Sequence, residues 1–394
     1  MTAGATAPYW LDAPYEARAP LAQDTEVEAL VIGAGVGGLS CARRLAQHGI
    51  ETLVLERGSV ASGASGRNGG FLLAGIAAFH VDAREQLGAE RARDIYQRTL
   101  DAQQEVYDLA AELVAGDAVR RVGLLRVSAS EDEAAHVRRH AEALRADGFP
   151  AELLEREELP GALRRSFFNG CLTENDGALH PARWIRALAG AAEQAGARIC
   201  EGTPVRAPVA APYEADVLAG GKTVRAKHVI VASDGALPAL VSRYDGPVRA
   251  RRLHMVGTEP LSERVLERPL YSRWGLEYAQ QAADGRVLAG GFSDVDAGDS
   301  YTDRDEGSAA VWQRVEDWLR EQLAVYANVT HRWVGTVGYS DDGLPYAGAV
   351  PDAPGLYVLG AYSGHGNVPG YLAGQEVADL VAGIAGEPVF DAAR

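Results

Sequence analysis

Short apolar runs followed by stretches of helical periodicity occur at both ends of the chain. Residues 27–32 are mostly apolar and short enough for a buried parallel strand, and Ser40–His48 then places apolar residues at helical spacing. A second apolar run covers residues 50–55. The order of strand, glycine loop and helix returns at residues 355–383. The pattern predicts an α/β fold with a Rossmann-like domain built from separated segments.

The middle of the chain mixes helical tracts with strands of a more polar character. One long helix is expected from Ala83 to Val114, and another begins near Pro181, since proline is favoured in a first helical turn. Further elements are a strand over 120–130, a helix over 131–148, and strands over 198–201, 227–236, 251–261 and 284–294. We therefore predict a nucleotide-binding domain from residues 1–80, 166–245 and 336–394, and a second domain on a mixed β-sheet from residues 81–165 and 246–335.

Composition excludes several classes of partner. The 394 residues are 47% hydrophobic and 23% charged, which suits two globular domains. The net charge of -16 and the lack of a basic stripe argue against nucleic-acid binding. No apolar run reaches the roughly 18 residues of a membrane span, and three separated cysteines without metal-ligand spacing fit a reducing compartment. We expect a cytoplasmic protein; its oligomeric state is left open.

The glycines after the first strand carry the clearest chemical signal. Gly33, Gly35 and Gly38 form GxGxxG, which allows a tight turn, approach of a pyrophosphate and close packing of helix on strand. Glu56, 18 residues beyond Gly38, ends the second strand, where a carboxylate accepts hydrogen bonds from ribose hydroxyls and repels a 2′-phosphate. The alternative is a glycine turn of purely structural use.

The second glycine-rich loop, "ASGASGRNGGFL" at residues 61–72, follows the acid directly and allows a flat ring to approach the backbone. With "PYW", "HPARWIRALA", "KHVIVASDGAL", "TEPL", "DGRVLAGG" and "GAYSGHGN", it resembles the D-amino-acid oxidase family of flavoproteins, which includes glycine oxidase, sarcosine oxidase and gamma-glutamylputrescine oxidoreductase. The resemblance spans nearly the whole chain. It implies bound FAD, a substrate domain over the flavin, and oxidation of an amine or amino-acid C–N bond to an imine that hydrolyses to a carbonyl product.

The resemblance also implies which residues hold FAD. The loop residues Ser65, Arg67, Asn68 and Gly69 would line the flavin ring and its diphosphate, unless Arg67 and Asn68 belong to an exposed turn. Val205 would contact the adenine through its backbone. The full expected set is Gly33, Gly35, Gly38, Glu56, Arg57, Ser65, Arg67, Asn68, Gly69, Val205, Gly364, Gly366 and Asn367.

Four residues are candidates for contact with the reacting groups. His365 lies in a glycine loop before a helix whose N-terminus can face the flavin edge where negative charge develops. It would stabilise reduced flavin or contact substrate, unless it is an ordinary turn residue. Tyr278, Gln280 and His254 would form a polar pocket for the neutral amine, unless they are sheet-surface residues.

Two departures from the family pattern change the expectations. Members with covalent FAD carry a cysteine shortly before the segment matching "DDGLPYAG", and this chain has none, so we expect non-covalent FAD. The gamma-glutamylputrescine type commonly has an arginine at the position of Gln280, which puts carboxylate recognition there in doubt.

The electron acceptor and the exact activity stay open at this stage. The only lysines, Lys222 and Lys227, lie in a predicted exposed hairpin, so a cation beside the flavin would have to be an arginine or a protonated histidine. We therefore expect slow reaction with oxygen. The alternative activities are a flavin monooxygenase and a non-catalytic electron-transfer subunit.

Overall fold

The computed structural model describes residues 5–113, 118–206, 215–386 and 388–394. The strands are β1 Thr25–Ile32, β2 Thr52–Leu55, β3 Phe71–Leu72, β4 Val119–Arg121, β5 Leu124–Val127, β6 Glu152–Glu155, β7 Asn169–Thr173, β8 Gly177–Leu179, β9 Arg198–Cys200, β10 Ala215–Ala219, β11 Lys222–Val231, β12 Val248–Thr258, β13 Leu270–Ser272, β14 Glu277–Gln281, β15 Val287–Gly291, β16 Val329–Ser340, β17 Tyr346–Ala349 and β18 Leu356–Gly360. The α-helices are α1 Val36–Gln47, α2 Ala64–Arg67, α3 His80–Leu87, α4 Ala89–Leu113, α5 Glu131–Ala146, α6 Leu163–Ser166, α7 Pro181–Gln194, α8 Leu237–Leu240, α9 Ala297–Ser300, α10 Ala309–Glu321 and α11 Asn367–Val381.

A sheet of mostly parallel strands carries the nucleotide-binding turn. Its order is β17-β18-β11-β1-β2-β9, with β10 paired antiparallel to β11. Val31 in β1 lies between Ile230 of β11 and Val54 of β2, and all three are fully buried. Helices α1, α7 and α11 pack together on this sheet. Because helices cover the sheet, the sequences of β1 and β2 are largely apolar. The predicted α/β class is confirmed.

A second sheet has eight strands. Its order is β16-β12-β15-β14-β13-β5-β7-β6, antiparallel except for the β13 and β5 pair. Helix α10 packs against β12 and β15. Strand β7 lies in the segment 166–245 expected in the nucleotide-binding domain, yet it pairs with β5 and β6. The division into domains remains a prediction, and β7 is a point where it departs from the sheets.

Two expected elements are interrupted by glycines with positive φ. The single helix predicted over 83–114 is two helices, because Gly88 adopts φ 85° between α3 and α4. Val114, its expected end, lies outside the described residues. The strand predicted over 120–130 is likewise broken into β4 and β5 at Gly123, with φ 75°. Residues other than glycine rarely adopt a positive φ, so each element ends at a glycine there.

The N-terminal arm is attached to the nucleotide-binding part of the fold. Residues 1–4 lie outside the described ranges, and Tyr9–Leu11 form a short 3₁₀ helix. Trp10 is 1% exposed and packs against the ring of His180. The arm therefore inserts a side chain into the core. None of the described helices combines the length and apolar character needed to cross a bilayer.

Candidate functional site

The turn after β1 excludes side chains at the three glycines. A Cβ at Gly33 would lie 2.4 Å from the carbonyl oxygen of Ala232, and one at Gly38 would lie 2.0 Å from that of Gly33. A Cβ at Gly35 would lie 2.9 Å from the hydroxyl oxygen of Ser65. Gly35 is also the N-cap of α1 and supplies no side-chain cap. The N–H of Val36 donates to the Ser65 hydroxyl, and among the described residues no side chain caps the next N–H groups of the first turn, so this positive helix end can bind an anion.

Glu56 connects the ends of three chain segments. Its carboxylate accepts hydrogen bonds from the N–H groups of Ala34, at 2.9 Å, and Gly58, at 2.8 Å. Its own N–H donates to Cys200, and its carbonyl accepts from Thr203. Because each carboxylate oxygen can accept a second hydrogen bond, the fixed carboxylate still has capacity for ribose hydroxyls.

The second glycine-rich loop is held from within by Asn68. Its Oδ1 accepts from the N–H of Gly70 at 2.8 Å, and its Nδ2 donates to the carbonyl of Ser65 at 3.0 Å. The hydroxyl of Ser65 accepts from the N–H of Val36, which joins the loop to the start of α1. The two glycine-rich segments thus form one cradle.

Three distant side chains bind the carbonyl groups of this loop. Trp10 donates its indole N–H to Asn68 at 2.8 Å, and Trp333 donates to Arg67 at 2.8 Å. Gln280 donates to Gly69 at 2.6 Å and to Gly70 at 2.8 Å. These three side chains, Trp10, Trp333 and Gln280, are called the loop braces below. They come from three separate elements and fix the path of the backbone.

The C-terminal glycine loop brings a second helix N-terminus to the site. Gly366 is the N-cap of α11 and supplies no side-chain cap. Asn367 begins the helix and donates its side-chain N–H to the carbonyl of Phe71 at 2.7 Å. Gly364 adopts φ 84°. The structure thereby joins the start of α11 to the start of β3.

A single cavity of about 910 Å³ connects these parts. Of the residues expected to hold FAD, all but Gly38 line it, and Gly38 packs behind it against Gly33. Glu56, Arg57 and Val205 line it, and so do Tyr278 of β14 and His365 of the C-terminal glycine loop. The liners from the second sheet include Arg126, Arg251, Leu253, Met255, Tyr271, Gly335, Thr336, Val337 and Tyr339. The cavity therefore extends from the nucleotide turns to the second sheet.

Several cavity liners have buried polar atoms without a hydrogen-bond partner among the described residues. They are Nε of Arg67, the hydroxyl of Ser233, Nε of Arg251, the hydroxyls of Thr336 and Tyr362, and Nε2 of His365. Buried polar groups in folded proteins are nearly always paired. Because these unpaired atoms belong to residues around one cavity, they indicate a site for a polar ligand rather than an apolar void.

His365 is neutral in the fold. Burial lowers the pKa of its imidazole to about 3, and the charge of Arg126 acts in the same direction, against opposing hydrogen bonds to the backbone of Leu73 and Ala74. Its Nε2 has no partner and the residue lines the cavity. His365 therefore offers a hydrogen-bonding imidazole and supplies no positive charge at neutral pH.

The structure separates His254 and Gln280 from the cavity, and neither is retained as a catalytic candidate. Alternate residues of β12, Arg251, Leu253 and Met255, face the cavity, so His254 points to the other side of the sheet. There its Nε2 accepts from the N–H of Ser308 at 2.8 Å, and burial lowers its pKa to about 4. The amide nitrogen of Gln280 is occupied by the loop it braces.

Sequence reasoning missed the arginines of the second sheet. Arg126 and Arg251 line the cavity from β5 and β12. Period-two alternation places Arg251 on the face of Leu253 and Met255, but no sequence signal says which face meets the nucleotide. Arg126 sits in an apolar run with no motif around it.

Comparison with known proteins identifies the family. The profile of the DAO family, described as FAD dependent oxidoreductase, matches residues 28–380. The chain belongs to this family. It is therefore an FAD-dependent oxidoreductase, and the glycine cradle, the open helix N-termini and the unpaired polar atoms fit that cofactor.

Curated relatives match the chain over most of their own length. The chain is 27% identical to a "Probable oxidoreductase OrdL" of Haemophilus influenzae, covering 92% of this chain and 85% of that protein. It is 27% identical to gamma-glutamylputrescine oxidoreductase of Escherichia coli, covering 90% and 83%. The structure of glycine oxidase from Geobacillus kaustophilus matches with a TM-score of 0.81 at 22% identity, over 94% of this chain and 99% of that one. The fold is thus that of the family.

The mode of FAD attachment stays a prediction. Cys41, Cys171 and Cys200 are buried and unlinked, and none of them lines the cavity. This placement supports the expectation that FAD is held without a covalent bond.

Proposed function

We propose that the protein oxidises a C–N bond of a small amine or amino acid to an imine, which water converts to a carbonyl compound and a free amine. The observation that carries the proposal is the continuous cavity, which brings the nucleotide cradle and the second sheet against the same space. When bound, FAD supplies the acceptor for the hydride that leaves the substrate carbon. The chain's own residues bind and orient the substrate and exclude bulk water.

The residues of the second sheet would form the substrate chamber. Tyr271 and Tyr278 are directly opposite each other across β13 and β14, and Phe71 packs against both rings. Burial raises the pKa of both tyrosine hydroxyls, so both stay protonated and can donate hydrogen bonds. Burial in this chamber disfavours a charged group and so favours the neutral, unprotonated amine, whose lone pair assists loss of the hydride.

His365 would contact the substrate nitrogen. Its unpartnered Nε2 can accept a hydrogen bond from an amine N–H when the proton of the imidazole is on Nδ1. This interaction orients the amine without adding charge, because the imidazole stays neutral down to a pH near its pKa of about 3.

The test is anaerobic reduction of the bound flavin by a panel of amines, amino acids and polyamine derivatives. We expect at least one to bleach the flavin absorbance and to release a carbonyl product. Bleaching by NADH or NADPH alone, followed by incorporation of oxygen into an aromatic substrate, would indicate a monooxygenase. If no amine or amino acid bleached the flavin, the proposed reaction would be wrong.

A further inference from the structure

Trp274 differs in exposure from every other tryptophan of the chain. All six tryptophans lie within the described residues, and Trp274 is 48% exposed. The other five are at most 4% exposed: Trp10, Trp184, Trp312, Trp318 and Trp333. Trp274 also lines the cavity. Because it both lines the cavity and is half exposed, it lies at the mouth, where the cavity meets solvent.

The indole of Trp274 is free of contacts that would explain its position. Within the part of the chain that the structure describes, it stacks on no aromatic ring or cation, and its N–H forms no hydrogen bond. Single exposed apolar side chains are ordinary on protein surfaces, so exposure alone assigns no role. The backbone and the location of Trp274 carry the argument further.

The backbone at Trp274 adopts a conformation that favours glycine. Arg273 has φ 47°, Trp274 has φ 55°, and Gly275 has φ 82°. Two successive residues with side chains are unfavourable in this region and persist only where the surrounding structure fixes them. Such outliers concentrate at ligand sites. A tryptophan therefore occupies a position where its side chain is costly to place.

Carboxylates hold this turn in place. The N–H of Trp274 donates to Glu133 of α5 at 2.7 Å, and Glu133 is 1% exposed. Arg273 pairs with buried Glu277 at 2.5 Å and with Asp294 at 2.9 Å. These contacts engage the backbone and the neighbouring arginine but leave the indole free. The turn thus presents the indole as a fixed surface at the mouth of the cavity.

The turn belongs to the hairpin that carries the proposed substrate chamber. Strands β13 and β14 pair Tyr271 with Tyr278, and both tyrosines line the cavity. Residues 273–276 connect the two strands, and Gly275 and Leu276 line the cavity beside Trp274. Trp274 therefore lies between the chamber and solvent. The end of a substrate that is distant from its reacting C–N bond would lie there.

The charges around Trp274 favour an apolar group over a cation. Glu133 is bound by the N–H of Trp274, while Glu277 and Asp294 are paired with Arg273. The positive guanidinium of Arg273 adjoins the indole in the sequence and opposes binding of a second cation. Asp303 also lines the cavity, so a cationic end group is included in the test below.

We propose that Trp274 binds the distal part of the substrate, so that the protein prefers amines or amino acids with an apolar or aromatic group away from the reacting C–N bond. The proposal rests on the proposed function and names the substrate class of that site. A flat apolar group would cover the indole and remove apolar surface from water. Trp274 is thus a specificity-determining residue.

Binding is tested first, without turnover, because the exposed indole is its own reporter. Tryptophan fluorescence of the FAD-loaded protein is quenched with acrylamide in the presence of 2-phenylethanol or ethanol, which carry a hydroxyl in place of the amine. We expect 2-phenylethanol to protect the exposed tryptophan, and ethanol at the same concentration to leave it quenchable. Trp274→Phe should lose the quenchable signal. No protection up to the solubility limit of 2-phenylethanol would overturn the proposal.

Variants then measure how much the indole contributes. Trp274→Ala keeps the same backbone requirement and removes the ring, so 2-phenylethanol binding, followed by flavin absorbance, should weaken about 10- to 50-fold. Trp274→Phe should retain most of the binding. The matched control is Tyr326→Ala, since Tyr326 is 77% exposed and does not line the cavity. The FAD content and melting temperature of each variant show whether it folds.

Turnover is compared within pairs of compounds that differ only at the distal end. The pairs are 2-phenylethylamine with ethylamine, and phenylalanine with alanine, and anaerobic reduction of the flavin is recorded. The wild type should have a lower KM for the larger member of the pair that it oxidises. Trp274→Ala should remove this difference by raising KM for the larger member more than it lowers kcat.

The outcomes separate this proposal from the proposed function. An unchanged ratio of KM values in a folded Trp274→Ala protein, or a lower KM of the wild type for the smaller members, would overturn the role of Trp274. So would more efficient use of 1,5-diaminopentane than of hexylamine, because the distal group would then be a cation. Protection of Trp274 by 2-phenylethanol, with no flavin reduction by any amine or amino acid, would instead contradict only the proposed reaction.

Discussion

At the scale of single residues, the role of a site residue depends on whether its own polar atoms already form hydrogen bonds within the protein. Gln280 and Tyr278 lie two residues apart on the same strand. The side-chain amide of Gln280 donates to backbone carbonyls, whereas Tyr278 faces the cavity. Arg126 is the opposite case, because its donors are unused. An unpartnered polar atom is therefore a better guide to binding than residue type alone.

The first prediction concerns Glu56, whose carboxylate fixes the turn and has capacity for the ribose. Glu56→Ala should weaken FAD binding by roughly 2–4 kcal/mol, since charge-assisted hydrogen bonds are lost. Turnover of the loaded enzyme should change less. The measurement is FAD retention after dilution, with exposed Glu51→Ala as the control. Full FAD occupancy of the Glu56→Ala protein through dilution would show that Glu56 does not bind the ribose.

At the scale of elements, the loop braces explain how a glycine-rich segment keeps one shape. Gly70 adopts φ 74°, and a Cβ there would lie 2.3 Å from the amide nitrogen of Gln280. The glycine thus gives the loop its path, and the braces hold that path. The contacts come from an N-terminal 3₁₀ helix, from β14 and from β16.

The second prediction tests one brace. Trp10→Phe keeps most of the buried ring and removes only the N–H that binds the carbonyl of Asn68. We expect a loss of about 1 kcal/mol in FAD affinity or in stability, because a buried carbonyl loses its donor. Trp184→Phe is the control, since Trp184 is equally buried and its indole nitrogen has no partner among the described residues. Equal effects of the two substitutions on FAD affinity and melting temperature would contradict the role of the hydrogen bond.

The sequence predicts an element well where its motif and the spacing of its apolar residues indicate the same structure. The first strand, turn and helix were predicted because GxGxxG, apolar runs and helical spacing point to the same unit. Helix α1 begins at Val36 rather than near Ser40, since it starts directly after the glycine N-cap. The positions of His254 and Arg126 depend on which face of the second sheet meets the cradle. That choice is made by long-range pairing, which no local pattern contains.

At the scale of the whole molecule, buried neutral histidines link stability to pH. Burial lowers the pKa of His254 to about 4, and the charge of Arg252 adds to this against Asp296. The unfolded chain, with an ordinary histidine pKa near 6.5, binds a proton that the native state does not. The free energy of unfolding contributed by this site therefore falls as pH drops from about 6.5 toward 4. Buried carboxyls with raised pKa, such as Asp234, act in the opposite direction.

The third prediction isolates one histidine. His254→Gln retains an acceptor for the N–H of Ser308 but does not titrate. Its unfolding free energy should fall less steeply with acid than that of the wild type, with a difference of up to about 1.4 kcal/mol per pH unit below pH 6.5. Denaturant unfolding from pH 7.5 to pH 5 measures this. Parallel curves for the two proteins over that range would contradict a neutral buried His254.

The fourth prediction concerns the electron acceptor. Lys227 is exposed near Glu28, Lys222 lies in the hairpin of β10 and β11, and neither lines the cavity. His365 is neutral and His254 faces away, so no lysine or histidine places a positive charge in the cavity at neutral pH. Superoxide formation gains most from a compact cation, which a lysine would supply and the delocalised guanidinium groups of the cavity arginines do not, so we expect slow reoxidation by oxygen and faster turnover with an artificial acceptor dye.

Stopped-flow mixing of the reduced protein with air-saturated buffer measures the rate directly. The same experiment with Arg67→Lys asks whether a compact cation in the cavity speeds the reaction. Reoxidation by oxygen as fast as reduction by substrate, and unchanged between pH 6 and 9, would show that the arginines already supply the required charge.

The loop braces also bear on how the cofactor is acquired during translation. The ribosome makes Trp10 and the loop itself early, but Gln280 and Trp333 come more than two hundred residues later, and Asn367 follows them. A nascent chain that has emerged only as far as β2 presents the glycine turn without the contacts that fix the second loop. We therefore expect the chain to bind FAD stably only at the end of its synthesis, so that FAD does not guide the first folding steps.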